Sequence, residues 1–409
     1  MEQVEAETFQ SFFCDLFCLV FFLLDAVLDV YTVVSLYQEE AYVFMGFLVF
    51  ILLGSSLLVN GFSWLWYVHD KDEREIKTEG LVQNLRTLKI LHLFQMGLFY
   101  RYVNGVWSSI RALWCGKRCA GHQPLKHDLS ILCFFDAFSE SAPQLVLMVT
   151  IIIQTGKQEL LPILKAVASA SAIAVSVTMY HRSLRSFLPD KTNQGWRSSV
   201  VYFLWNLLLI ASRVAAVALI ASVFPCYIAA HFLCSWMVQF VIAWRHKTKF
   251  MDSTGGECLY QATVGLIWYF IWFNVVEGHS RLERKLYHVL MGLDISILCG
   301  IWVWQMIRNP PYFDLPIEPY VILVVVMFLY IVGVVLMLIY YRFYHPNLPQ
   351  KTFTSVGPEG TLTGTTSEND VTPGTGFRYA VADDNPLENV MRVNKRMKNL
   401  ADNFYFRTG

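Results

Sequence analysis

Ten long apolar runs punctuate the chain: Phe12 to Leu36, Tyr42 to Tyr67, Ile90 to Val103, Leu129 to Ile153, Leu160 to Met179, Val200 to Val223, Cys226 to Trp244, Leu259 to Phe273, Val289 to Met306 and Tyr320 to Tyr341. An α-helix needs about 20 apolar residues to cross a bilayer, and eight of the runs approach or exceed that length. The third and eighth, with 14 and 15 residues, are too short and read as re-entrant or half-spanning helices. The pattern predicts an all-α polytopic membrane protein with eight transmembrane helices and two such shorter ones. The runs fall five and five, over residues 1–180 and 181–345, with the short run third in each half. Each half then crosses an even number of times, as parallel repeats would. No residue-level repeat accompanies the pattern, so repeat and coincidence both stay open.

Charge then orients the helices. If both short runs enter and leave on one side, the loops shared with the termini hold nineteen Lys and Arg, against Lys157 and Arg308 on the other side. Basic residues close to span ends stay cytoplasmic, which places both termini in the cytoplasm. The composition agrees: 55% of residues are hydrophobic, 16% are charged and mean hydropathy is +0.42. Net charge is zero, and no nucleic-acid partner is expected. No cleavable signal peptide is evident, because Glu2, Glu5 and Glu7 precede the first run. Nine cysteines are scattered through spans and inner loops, which is not an extracellular disulfide framework. Cys115, Cys119 and His122 have loose zinc-like spacing without a fourth ligand, and read as a structural or acylated juxtamembrane pair.

The polar positions inside the runs carry the chemistry. Asp25 and Asp29 lie four residues apart in the first span and so share a helix face, with Asp15 not far round it. Asp128, Asp136 and Glu140 repeat the device at multiples of four, as an acidic stripe that drifts slowly round the fourth helix. Asp294 enters the ninth span, Arg213 lies midway along the sixth and Arg182 just past the fifth. Each central charge costs about 2.5–3.5 kcal/mol on insertion scales, so these groups must meet one another or water rather than lipid. At least six acids against two evident arginines cannot pair one to one, which calls for a hydrated path or protonated carboxyls. Buried structural ion pairs are the alternative for any single residue. The chain carries no G-x-x-x-x-G-K-[ST] loop, H-E-x-x-H pair or G-x-S-x-G elbow, and Asp190-Lys191-Thr192-Asn193 lacks the context of a phosphorylated pump. Neither an enzyme nor an ATP-driven pump is expected; no cofactor is implied, and no Ca²⁺-ligand loop accompanies the acids.

Four stretches together resemble the XK-related family: Phe138-Ser139-Glu140-Ser141-Ala142-Pro143-Gln144-Leu145, Phe62-Ser63-Trp64-Leu65-Trp66, Tyr180-His181-Arg182 and Tyr202-Phe203-Leu204-Trp205-Asn206-Leu207. The resemblance covers nearly the whole chain and is nearest to the caspase-activated phospholipid scramblases. It implies ATP-independent, bidirectional lipid movement, phosphatidylserine exposure in apoptosis, a plasma-membrane location and a single-span immunoglobulin-type partner like basigin or neuroplastin. It further implies that Asp25, Asp29, Asp128, Asp136, Glu140, Arg182, Arg213 and Asp294 guide lipid headgroups. Met179 stands where relatives carry an acid, which leaves Arg182 without an evident ionic partner. A non-transporting subunit of a membrane complex and a proton-coupled solute carrier are the competing readings.

After His345-Pro346 the composition turns to Gly, Thr, Ser and Pro, so residues 346–409 read as a cytoplasmic tail that opens with a disordered linker. Asn385-Pro386-Leu387-Glu388 supplies helix-start signals, and Leu387, Val390, Met391, Met397, Leu400 and Phe404 form an apolar stripe. An amphipathic helix over 385–404 is expected, docked on the cytoplasmic side of the bundle or on the membrane surface. The resemblance implies that a caspase releases this segment, and Asp370, Asp383 and Asp384 are the candidate cleavage positions.

Overall fold

The computed structural model describes residues 2–69, 84–115, 122–156, 160–187, 195–275, 280–309 and 318–344. Among the described residues there is no strand. The helices are α1 (Glu2–Gln38), α2 (Tyr42–His69), α3 (Leu85–Leu93), α4 (Gly97–Cys115), α5 (His122–Asp136), α6 (Ala142–Thr155), α7 (Leu160–Phe187), α8 (Trp196–Val223), α9 (Pro225–Arg245), α10 (Thr254–Phe270), α11 (Ser280–Arg308) and α12 (Pro319–Ile339). A π-helical turn, Ala137–Ser141, joins α5 to α6, and a second, Tyr340–Tyr344, ends α12.

Eight helical segments are long and apolar enough to cross a membrane, with α5 and α6 forming one continuous span through the π turn. They coincide with runs one, two, four to seven, nine and ten of the sequence. The chain is therefore an all-α, multi-pass membrane protein. Neither short run provides a crossing among the described residues. The third breaks at Phe94–Met96, where Gln95 has φ of 61°, a left-handed conformation uncommon for a residue with a Cβ. The polar face of α2 holds that break. Ser56 Oγ donates to Gln95 Oε1 at 2.9 Å, and Asn60 Oδ1 accepts from the Gly97 amide at 2.8 Å. Gly97 is required because a Cβ there would lie 2.6 Å from Asn60 Oδ1 and would strike the His92 ring.

The eighth run becomes α10, 17 residues long or about 26 Å. Ser253 Oγ caps its start by accepting from the Gly256 amide at 3.1 Å. Glu257 gathers the preceding loop, accepting from the amides of Phe250 at 2.9 Å and Met251 at 2.7 Å and from the Thr248 hydroxyl. At its far end Ile271 turns extended. The helix is buried on most sides, and its Gly265 lets the α9 backbone close in, since a Cβ would lie 3.0 Å from Phe240 N.

At the centre runs α8, which packs against α6, α7, α9, α11 and α12. One continuous core passes through both halves of the chain, from Phe62, Trp66, Phe134, Phe135 and Phe138 of the first to Tyr260, Ile295 and Trp302 of the second, and Phe135 meets Tyr260 with ring centroids 6.2 Å apart. The first helix is peripheral. It packs along α2 and α4 and turns Phe17, Phe21, Leu24, Val27 and Val30 outward. Exposed apolar faces of this kind suit lipid rather than water.

Candidate functional site

Asp25 and Asp29, one turn apart on α1, point into the bundle and meet the ammonium of Lys165 from α7. Its Nζ donates to Asp25 Oδ1 at 2.8 Å and to Asp29 Oδ1 at 2.6 Å. Gln144 of α6 adds a third link, its Nε2 donating to Asp29 Oδ1 at 3.1 Å. Glu140 approaches from the π turn, so that carboxylate oxygens of Asp25, Asp29 and Glu140 all lie within 4.8 Å of one another. Beside them Asp136 Oδ1 accepts from Ser55 Oγ of α2 at 3.0 Å, and Ser55 Oγ lies 2.8 Å from Ser139 Oγ. The cluster thus brings together four carboxyl groups, and Lys165 is the cation bonded to them among the described residues.

Exposure gives the cluster a direction. Lys165 is 2% exposed and Asp29 is 9% exposed, whereas Asp25 is 41% exposed. The ammonium and carboxylates tie α7 to α1, and the cluster is most exposed at Asp25. Burying an ammonium costs several kcal/mol unless acids and hydrogen bonds compensate, and here two acids do so. Three carboxylates at this spacing offer metal-ligand oxygens, but on two of them the chain already supplies the positive charge through Lys165.

The π turn explains how one span delivers so many polar groups to one place. Pro143 has no N–H and its ring clashes with the carbonyl four residues back, that of Ser139. The helix widens in response: the Ala142 amide donates five residues back, to Ala137 O. The expected acidic stripe serves two places, because Asp128 lies two turns before Asp136 in the regular helix α5. Asp136 and Glu140 face the α1 and α2 side, while Asp128 belongs to a separate site.

That second site is built on Arg101 of α4, which is buried. Its Nε donates to Ser63 Oγ at 2.8 Å, its Nη2 to Ser63 O at 3.3 Å and its Nη1 to Asp128 Oδ2 at 3.4 Å. The guanidinium lies over the Tyr67 ring, 4.3 Å from its centroid, and Ser63 Oγ also lies 2.8 Å from His92 Nε2. Nearer the start of α1, Asp15 accepts from the Ser109 hydroxyl and lies 3.4 Å from Lys126 Nζ.

The C-terminal half holds a third constellation, where α8, α9, α10 and α11 meet. Arg213 Nη1 donates to Asp294 Oδ2 and its Nε to Tyr269 O at 3.0 Å, with the Tyr269 ring centroid 4.6 Å from the guanidinium carbon. His231 Nε2 lies 3.0 Å from Asp294 Oδ1. Arg213 and Asp294 therefore form an ion pair, with a histidine as third member. Arg182 stands apart: it is exposed, its Nη1 lies 3.5 Å from Ser199 Oγ, and it makes no ion pair among the described residues.

Sequence reasoning found the acids and missed most of their partners. Lys165 lies inside the fifth apolar run and Arg101 inside the third, and each is a charge within an apolar stretch, the same signal that marked the aspartates. Gln144 and His231 were equally visible as polar residues within spans. Counting Lys165 and Arg101 narrows the excess of acid to the cluster around Glu140. Among the described residues, Cys18, Cys133, Cys226, Cys234, Cys258 and Cys299 form no disulfide. The Cys115–Cys119–His122 group, the expected helix over 385–404 and the candidate cleavage positions Asp370, Asp383 and Asp384 lie outside the described residues and side chains.

Comparison with known proteins points to one family. A family model described as XK-related protein matches residues 13–346. XK-related protein 8 of Tetraodon nigroviridis is 41% identical over 334 residues, covering 80% of this chain and 81% of the relative. The protein of that name in Gasterosteus aculeatus is 40% identical over 338 residues, covering 80% and 82%. That of Pan troglodytes is 36% identical over 332 residues, with the same coverage.

Proposed function

The chain belongs to the XK-related family, and from that premise we propose that it is a passive phospholipid scramblase of the plasma membrane. It moves lipids in both directions without ATP and without covalent catalysis, and it exposes phosphatidylserine. The observation that carries this reading is the cluster of Asp25, Asp29, Asp136 and Glu140 around one lysine, open at Asp25 and flanked by lipid-facing helix surface. A zwitterionic headgroup meets a large desolvation barrier in hydrocarbon, and a polar groove beside lipid lowers it while the acyl chains stay outside. Arg101–Asp128 is buried, and Arg213–Asp294 has a buried arginine and a part-exposed acid; in this reading both pairs brace the bundle.

In this reading both termini are cytoplasmic, a single-span immunoglobulin-type protein accompanies the chain, and the tail beyond residue 346 holds it inactive until a caspase cuts at Asp370, Asp383 or Asp384. The likeness to caspase-activated relatives supports this arrangement. The test is reconstitution of the full chain with its partner into liposomes holding a trace of acyl-labelled phospholipid, before and after caspase treatment. Dithionite should bleach inner-leaflet label rapidly in treated vesicles and slowly in untreated ones. Bleaching confined to the outer leaflet in both would refute the proposal.

A further inference from the structure

Lys165 occupies the groove in a way that identifies what else fits there. It is a primary ammonium held by two carboxylates at 2.6 and 2.8 Å, on a flexible stem rooted in α7. One of its two acids, Asp25, is substantially exposed, so the contact can be approached from outside. Glu140 reaches the same point, with oxygens within 4.8 Å of both aspartates, and makes no hydrogen bond or ion pair among the described residues. The cluster therefore has acid to spare for a second cation, although its present cation already binds Asp25 and Asp29. No arginine or other lysine bonds to this cluster among the described residues, so a headgroup phosphate meets there no positive charge other than Lys165.

From these contacts we infer that Lys165 is the resident stand-in for the ammonium of a lipid headgroup, and that choline- or ethanolamine-type ammonium groups displace it from Asp25 and Asp29 during passage. The inference rests on the transport reading and gives it a substrate class: lipids with a cationic amine are carried, and lipids without one are carried poorly. Displacement leaves the lysine free to meet the lipid phosphate a few atoms away, so both charges of the headgroup are served in turn. Lys165 is a specificity-determining residue in this scheme. It also acts as a closing strap, because its release unties α1 from α7.

The test uses the full chain and needs no transport to be read. Wild type, Lys165→Met and Lys165→Arg are purified in mixed micelles of one detergent with either phosphatidylcholine or phosphatidylglycerol, and their melting temperatures are compared. Wild type and Lys165→Arg, which carry their own cation, should melt alike in both lipids. Lys165→Met should melt lower in phosphatidylglycerol than in phosphatidylcholine by about 3 °C or more. Choline chloride at the same headgroup concentration should not restore the variant in phosphatidylglycerol; full restoration would assign the site to a free cation and overturn the lipid assignment. A Lys165→Met chain indifferent to headgroup, or one that fails to fold in phosphatidylcholine where Lys165→Arg folds, would overturn the inference. In caspase-treated liposomes, acyl-labelled phosphatidylcholine should cross at least tenfold faster than acyl-labelled phosphatidylglycerol. Equal rates would end the selectivity claim and leave transport standing, whereas no movement of either lipid would end the transport reading itself.

Discussion

Asp294→Asn should harm the bundle more than Arg213→Met, although both break the same ion pair. Arg213 is 2% exposed and Asp294 is 31% exposed. Removing the acid strands a guanidinium in the core, and an uncompensated buried charge costs about 3–5 kcal/mol. The Tyr269 carbonyl and ring contact Arg213 with or without the acid, so they do not offset that loss. Removing the arginine leaves an acid that solvent reaches and that His231 faces at 3.0 Å, at a cost of about 1–2 kcal/mol after screening is allowed for. The difference of about 2 kcal/mol corresponds to several degrees in melting temperature, at about 2–4 °C per kcal/mol. The double variant should be milder than the two single losses combined, because the stranded charge is gone. The assay is thermal unfolding of the three variants in one detergent at one pH. Equal losses, a reversed order or strict additivity would refute the assignment of Arg213 as the dependent partner.

Other residues give equally direct expectations. Arg101→Lys should destabilise by about 1–3 kcal/mol in the same assay, because lysine cannot donate to both Ser63 and Asp128 while lying over Tyr67; an unchanged melting temperature would contradict this. Gly97→Ala should cost about 1–3 kcal/mol through collision with His92 and Asn60, and a fully stable variant would show that the α3–α4 break is not tightly packed. Pro143→Ala gives back an amide donor and lets the π turn close toward α-helix, which moves Glu140 away from Asp25 and Asp29. Liposome transport should fall while the melting temperature holds, and unchanged transport would detach the π turn from function. Changing Asp383 and Asp384 together to Ala should abolish the caspase-generated fragment on gels; persistence of that fragment would move the cut to Asp370 or elsewhere.

The eight crossings were readable from run length alone, because a membrane helix must satisfy its own backbone and so announces itself as a continuous apolar stretch. The two short runs were readable for the same reason, as stretches too short to cross. Pairing was much less visible. Lys165 meets Asp25 across 140 positions and Arg213 meets Asp294 across 81, distances over which local periodicity holds no information. Asp25 and Asp29 share a face by helical geometry, and the sequence supported that inference; eight residues of regular helix carry Asp128 about 12 Å along and about 80° round from Asp136, so the stripe reaches two places, and the π turn before Pro143 was not visible in the spacing. The proline was in plain view, yet its consequence depends on whether the helix ends, kinks or widens, and neighbouring helices decide that. Arg182, assigned to the path by resemblance, is exposed and lies beside Ser199, with no ion pair among the described residues.

The central claim is that lipid headgroups pass through the carboxylate cluster between α1 and the rest of the bundle. Its most direct measurement compares caspase-treated wild type with Asp25→Asn and Glu140→Gln in liposomes containing acyl-labelled phosphatidylcholine, alongside melting temperatures for all three. The account predicts that each variant slows inner-leaflet bleaching at least tenfold; Glu140→Gln should melt at or above wild type, because removing unpaired acid relieves repulsion, whereas Asp25→Asn should melt lower, because Lys165 then keeps only Asp29. Wild-type transport rates in both variants would contradict it.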